Sequence, residues 1–206
     1  MKRNGFTFIE LLVVVGVIGI IAWIAIPNLI NSHIATNETM AIATLRGIAS
    51  AEATVQMEAK IDRDNDGAGE YAFLDELKKS SSVVSLLDDL DSGYGRRCGY
   101  IFRVYLPDWT GFPVWMEGKK GEYSPDANMA EQMWCAYAWP ASKIGGERTF
   151  FVNQSGEILE TKTEPQYRGF RSPPKPDAAF VLNDAISLPT ARNEFGSDGK
   201  FWLLVQ

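Results

Sequence analysis

Residues 11–26 are sixteen consecutive positions without a polar side chain. Widened to residues 6–30, the run holds only Thr7, Glu10 and Asn28 as clearly polar members. Those 25 residues extend about 37 Å as a helix, at roughly 1.5 Å per residue. That length crosses a hydrocarbon core of about 30 Å. Lys2 and Arg3 precede the run, which predicts a cytoplasmic amino end and an outward-facing remainder. A secretory signal would carry a shorter apolar core ending in a small-residue cut site. Here the core is longer and holds a carboxylate, Glu10, near its start. A charge at bilayer depth costs about 2.5–3.5 kcal/mol on insertion scales, which makes Glu10 a functional candidate; the alternative is a shallow position among the headgroups.

This run changes the meaning of the composition. The chain has 206 residues, 20 basic and 26 acidic side chains and a net charge of −6. Its mean hydropathy of −0.12 averages an apolar rod with a polar remainder. Residues 1–60 hold four basic and four acidic side chains, so residues 61–206 carry the whole −6, as 16 basic against 22 acidic. Positive charge scattered over an acidic head is poor material for phosphate contact, so no nucleic-acid partner is expected. An aromatic content of 12% argues against disorder. The single histidine, His33, leaves little for histidine-based catalysis or His-rich metal sites.

Beyond the apolar run, Ile30, Ile34, Ala41, Leu45, Ile48, Val55 and Ala59 recur at steps of three, four and seven and mark one helical face. The spacing predicts a continuous helix over residues 6–60, about 80 Å long, apolar all round in its first half and striped in its second. Pro27 lies inside it and removes one helical hydrogen bond, the partner of the Trp23 carbonyl. Gly16 and Gly19 would let helices approach closely.

After the helix, Asp62, Asp64 and Asp66 alternate and Gly67 follows, as at the start of a calcium loop. Position twelve of such a loop would be Phe73 rather than Glu. Glu70, Asp75 or Glu76 would have to close the site in another geometry. Asp62, Asp64, Asp66 and Glu70 are therefore candidate calcium ligands, and a solvated acidic turn is the alternative.

Residues 61–206 read as an α+β head. Residues 71–77 suggest a short helix or turn, and residues 83–90 another short helical stretch. Residues 98–106, 133–139, 148–153 and 157–163 have strand composition, the last two joined by a hairpin through Gln154-Ser155-Gly156. Residues 201–204 suggest a last edge strand. Sequential strands with short turns predict an antiparallel sheet, one face of which packs on the striped helix. The segment 108–130, with Trp109 and Trp115, and the proline-bearing tail hold further aromatics. Core positions are expected for them, a binding surface being the alternative. Cys98 and Cys135, the only cysteines, fall on candidate neighbouring strands outside the cytoplasm, which predicts a disulfide, two buried thiols being the alternative.

Lys2-Arg3-Asn4-Gly5 followed by Phe6-Thr7-Phe8-Ile9-Glu10-Leu11-Leu12-Val13-Val14 resembles the class III leader of type IV pilin-like proteins, a family of pilins and of secretion and competence pseudopilins. The resemblance covers about the first 30 residues. It implies a leader over residues 1–5, cleavage between Gly5 and Phe6 by a prepilin peptidase, and methylation of the Phe6 amine. It further implies an assembly helix over residues 6–30 in which Glu10 pairs with the amine of a neighbouring subunit. Such a pair would offset the cost each charge bears alone. Pro27 matches the proline that family helices often carry near the end of the membrane segment. The implied architecture is a long membrane-spanning helix, amphipathic over residues 31–60, packed on a small antiparallel sheet head over residues 61–206. The implied role is a structural filament subunit of the inner membrane, partnered by its own copies or related subunits and by assembly platform proteins. A membrane-anchored binding module that does not polymerise is the alternative. No nucleophile–base pair or phosphate loop is present, so no enzymatic activity is expected.

Overall fold

A computed structural model describes residues 7–82, 84–90, 93–115, 124–162, 167–181, 185–186 and 189–205. One helix, α1 (Phe8–Met57, 50 residues), dominates. It runs unbroken through Pro27 and is about 75 Å long. It stops earlier than the periodicity implies, because Ala59 adopts a left-handed φ of 45°. The Ala59 N–H donates to the Gln56 carbonyl and the Lys60 N–H to the Val55 carbonyl, the paired bonds of a Schellman stop. Ala59 is exposed and not part of the buried stripe. The loop that follows presses on this helix end at Gly69, where a Cβ would lie 1.9 Å from the Gln56 carbonyl oxygen.

The outer half of α1 packs on the sheet through Ala41, Leu45, Ile48, Ala51 and Val55. Four polar side chains share its buried face: Asn37, Glu38, Thr44 and Glu52. Glu38 accepts the backbone N–H groups of Glu147 (2.9 Å) and Arg148 (3.1 Å) and pairs with the Arg148 guanidinium at 2.7 Å. Arg148 also bridges to Glu160 at 2.6 Å. Glu52 accepts the Ala72 N–H at 2.8 Å.

The sheet is built from β1 (Asp88–Leu90), β2 (Tyr94–Arg97), β3 (Tyr100–Pro107), β5 (Cys135–Pro140), β6 (Arg148–Asn153), β7 (Ile158–Lys162), β8 (Glu194–Phe195) and β9 (Phe201–Leu204). Their spatial order is β1-β2-β3-β5-β6-β7-β9-β8, and β4 (Pro113–Val114) pairs with the end of β3. Every strand pairing is antiparallel. Two short helices, α2 (Leu74–Ser80) and α3 (Ala127–Ala130), complete the head. Four strand expectations survive, residues 148–153 with the same ends and the other three with shifted ones. The helical reading of residues 83–90 does not: a 3-10 turn at Val84–Leu86 leads into β1. Nor is β9 an edge, since it lies between β7 and β8.

The period-two alternation of β3 divides two cores. Tyr100, Phe102, Val104 and Leu106 face α1, whereas Ile101 and Tyr105 join Tyr137, Trp139, Phe151 and Trp202 on the other side. That second face is not solvated. The irregular tail covers it with Tyr167, Ala178, Ala179, Phe180 and Ile186. The tail is pinned by polar groups. The Tyr137 hydroxyl donates to the Pro176 carbonyl at 2.9 Å and accepts the Ala179 N–H at 3.0 Å. The Trp139 indole donates to the Gly169 carbonyl at 2.9 Å.

Candidate functional site

The first candidate is the start of α1. Gly5 and Phe6 lie outside the described residues. Thr7 is the N-cap of α1, its hydroxyl oxygen accepting the Glu10 N–H at 3.3 Å. In return the Glu10 carboxylate accepts the Thr7 N–H at 2.8 Å and the Thr7 hydroxyl at 2.7 Å, both on Oε2. This reciprocal cap satisfies helix-end donors. It gives Glu10 a role within its own chain that the sequence reading did not foresee. A carboxylate has about four lone-pair positions, so Thr7 does not exhaust it. Beyond the cap, α1 is long and apolar enough to cross a membrane, and no residue of its most apolar stretch is buried. A Cβ at Gly16 or Gly19 would meet nothing within 4 Å, so two flat spots lie on the apolar rod.

The second candidate is the acidic loop. Asp62 accepts the N–H groups of Asp66 (3.2 Å) and Gly67 (3.2 Å), and Asp66 accepts that of Ala68 (2.8 Å). These bonds coil the loop and turn its carboxylates inward. Asp62, Asp64 and Glu70 offer oxygens within 4.8 Å of one another, and so do Asp64, Asp66 and Glu131. Glu131, just past α3, was not foreseen; it is sixty-one residues from Glu70 (131 − 70) and no local spacing announces it. Its Oε1 is buried without a hydrogen-bond partner. Desolvation, followed by the charges of Asp66, Asp64, Glu70 and Asp62, pushes its pKa above the ordinary carboxylate range. Glu70 is differently placed. It is fully buried and already held by Arg63, whose N–H and guanidinium both donate to it. Asp75 is not in either carboxylate group, and Glu76 instead pairs with Arg63 at 2.7 Å.

The expected disulfide is corrected. Both cysteines are free, Cys98 exposed and Cys135 buried. Cys98 and Gly99 form the two-residue turn between β2 and β3, with φ of 45° and 74°. Positive φ at both positions suits the twist of a hairpin. Cys135 pairs in register with Tyr105 at the far end of β3, whereas Tyr100 beside the turn faces Pro140. Five residues of strand separate those registers, about 17 Å at ~3.4 Å each, well beyond the roughly 7 Å that a disulfide spans.

The tryptophans divide. Trp134, Trp139 and Trp202 are core residues, but Trp109 is 79% exposed. Trp115 lies partly exposed, its ring 5.0 Å from the Arg103 guanidinium. Arg103 in turn stacks on Tyr94 at 3.4 Å.

Comparison with known proteins bears on the N-terminal third. Residues 1–26 match a family described as the prokaryotic N-terminal methylation motif. Over 75 residues the chain is 39% identical to the type IV major pilin protein PilA of Myxococcus xanthus (strain DK1622). That stretch is 36% of this chain and 33% of the relative, so the likeness spans about a third of each. No solved structure matches. The chain is thus similar to a type IV pilin over its N-terminal third, the part that holds the methylation motif and the long apolar helix.

Proposed function

We propose that this chain is a structural, non-enzymatic subunit of a type IV pilus-like filament. It is held in the inner membrane by α1, with its head outside the cytoplasm, until assembly. Prepilin peptidase cuts after Gly5, the new Phe6 amine is methylated, and platform proteins pass the subunit into a polymer of its own copies or of related subunits. The observation that carries this reading is a carboxylate, Glu10, inside a matched methylation motif and at the head of an apolar helical run of which nothing is buried within its own chain. The apolar half of α1 has no covering within its own chain, and neighbouring α1 helices are its natural partners outside the bilayer. A second role for Glu10 follows from its geometry: the Thr7 cap holds the carboxylate at the helix start, where a neighbour's amine can meet it.

Engineered cysteine pairs along residues 11–26 test polymerisation by in vivo crosslinking. A ladder of oligomers is expected, and Glu10→Val should abolish it. A lone monomer band would support the anchored binding module instead. Deletion separates a pilus from a secretion pseudopilus: surface filaments disappear in the first case, and an exported protein in the second.

The acidic loop adds a calcium site to this reading. Asp64, Asp66 and Glu131 are the readiest ligands, because Glu70 is already engaged by Arg63 and the Glu131 Oε1 is buried without a partner. A hard divalent cation takes carboxylate oxygens and would neutralise the mutual repulsion of this cluster. Calcium should raise the Tm of the wild-type protein and leave Asp64→Ala and Glu131→Gln unmoved. An unchanged wild-type Tm would dismiss the site.

A further inference from the structure

Where the head meets α1 nearest the membrane segment, two clefts open beside the helix. On one side of α1, Leu29, Ile30 and His33 border a cleft closed by Cys98, Ser142 and Ile144. Ile144 is 67% exposed, and the neighbouring Lys143 is also exposed. On the other side, Asn31 and Ile34 border a cleft rimmed by Lys162, Lys200, Phe201 and Leu203. Apolar side chains and lysines are thus presented together around the helix, one or two turns beyond its membrane segment.

The level is set by arithmetic along α1. Twenty helical residues cross a hydrocarbon core of about 30 Å. Counted from Phe8, where the helix starts, they end at Pro27. Leu29 to His33 then lie about 3–9 Å further out. The headgroup zone on each side of a bilayer is about 5–8 Å deep. The helix side of the first cleft therefore falls at headgroup depth while α1 spans the membrane, and the second cleft starts there at Asn31 and rises to Glu38, about 16 Å beyond Pro27.

The loop is held rigidly at that level. The Asn37 amide donates to the Gly145 carbonyl at 3.1 Å, and the Ala141 N–H donates to the Gly99 carbonyl at 2.8 Å. A Cβ on Gly145 would lie 2.5 Å from the Gly99 carbonyl oxygen, so the two turns meet backbone to backbone. The acidic cluster is at the opposite pole. Met57, beside it, is thirty residues beyond Pro27, about 45 Å further from the membrane. The acidic loop is thus far from the bilayer, while the near face carries Lys143, Lys162 and Lys200 together with the exposed Glu147. Glu38 and Glu160 at that near face are both paired with Arg148.

We propose that this underside is a docking surface for the outer leaflet of an anionic phospholipid bilayer. Ile144 enters the headgroup layer and Lys143 meets lipid phosphates, while Lys162, at the rim of the second cleft, lies within about a Debye length of them. The inference rests on membrane anchoring by α1, as the filament reading does, but not on polymerisation.

Cys98 supplies the probe, because it is exposed at this surface while Cys135 is buried. The full chain, labelled at Cys98 with a solvatochromic dye, is placed at one copy per nanodisc, which removes contacts between copies. Phosphatidylglycerol nanodiscs are compared with neutral detergent micelles. On the nanodiscs the dye should shift to the blue, resist aqueous iodide and be quenched by headgroup-level nitroxide lipids. Neutralising one of Lys143 or Lys162 should lower the docked-to-undocked ratio roughly fivefold. Ile144→Ser should reduce the shielding as well, with an unchanged Tm as the check on folding. Equal iodide quenching in nanodisc and micelle would overturn the proposal, as would indifference to all three variants. Failure of the chain to enter nanodiscs would overturn both this proposal and membrane storage in the filament reading. Entry without shielding would overturn this proposal alone.

Discussion

Replacing Glu38 with Ala removes the strongest polar tie between α1 and the sheet. Glu38 is 5% exposed. Its carboxylate accepts two backbone N–H groups at the start of β6 and two guanidinium bonds from Arg148. Truncation leaves both N–H groups without their acceptor and Arg148 with Glu160 alone. Hydrogen bonds to a charged group contribute about 1.5–3 kcal/mol each, and breaking a fully buried pair costs about 3–5 kcal/mol. The Arg148 side chain is 38% exposed, so water recovers part of the loss. A net cost of about 3 kcal/mol follows, which lowers Tm by roughly 6–12 °C in a chain of this length. Glu38→Gln keeps an acceptor for the backbone and should lose about half as much. The measurement is thermal unfolding of the full chain in detergent, followed by near-ultraviolet circular dichroism. A double-mutant cycle with Arg148→Ala isolates the pair. A loss below about 1 kcal/mol, or strict additivity with Arg148→Ala, would refute the view that this contact fastens the helix to the head.

Glu52 predicts a pH dependence. Burial pushes its carboxyl well above the usual 4.5, only partly opposed by the Ala72 N–H. The folded state therefore holds the proton more tightly than the unfolded chain, so stability is greatest below about pH 4.5 and falls as pH rises toward the raised folded value. Glu52→Gln should remove that fall, with the two stability curves diverging in favour of the variant toward neutrality. Parallel curves would contradict it. For the thiols, a maleimide should modify Cys98 at once and Cys135 only after unfolding, and an intact mass two hydrogens lower, marking a disulfide, would contradict the β3–β5 register.

The legible parts of the chain were those with a period. The apolar run and the stripe of Ala41, Leu45, Ile48 and Val55 identify α1, and alternating β-branched and aromatic residues identify β3, β5, β6 and β7. Glu38 and Glu52 were not legible as buried, because a lone acid in a helix reads as solvated unless its distant partner is known. The β2–β3 hairpin was hidden because Cys98-Gly99 lacks the Asn or Asp that usually signals such a turn. The second core was hidden for another reason. Its covering tail is irregular and is held by isolated hydrogen bonds, two at Tyr137 and one at Trp139, which leave no period behind. Of the acidic site, the aspartates were legible from their spacing, whereas Glu131 arrives through the packing of α3 against the sheet.

That tail has a mechanical consequence. A sheet pressed against one helix alone would bend and peel when the helix is pulled along its axis. Here the sheet is clamped between α1 and a backing layer whose aromatic contacts do not touch the helix. Tension applied to α1 would pass as shear through the Glu38–Arg148 tie into β6, and the backing layer would hold β6 flat while it carried the load. The part of the head farthest from the helix thereby determines how firmly the helix can be pulled.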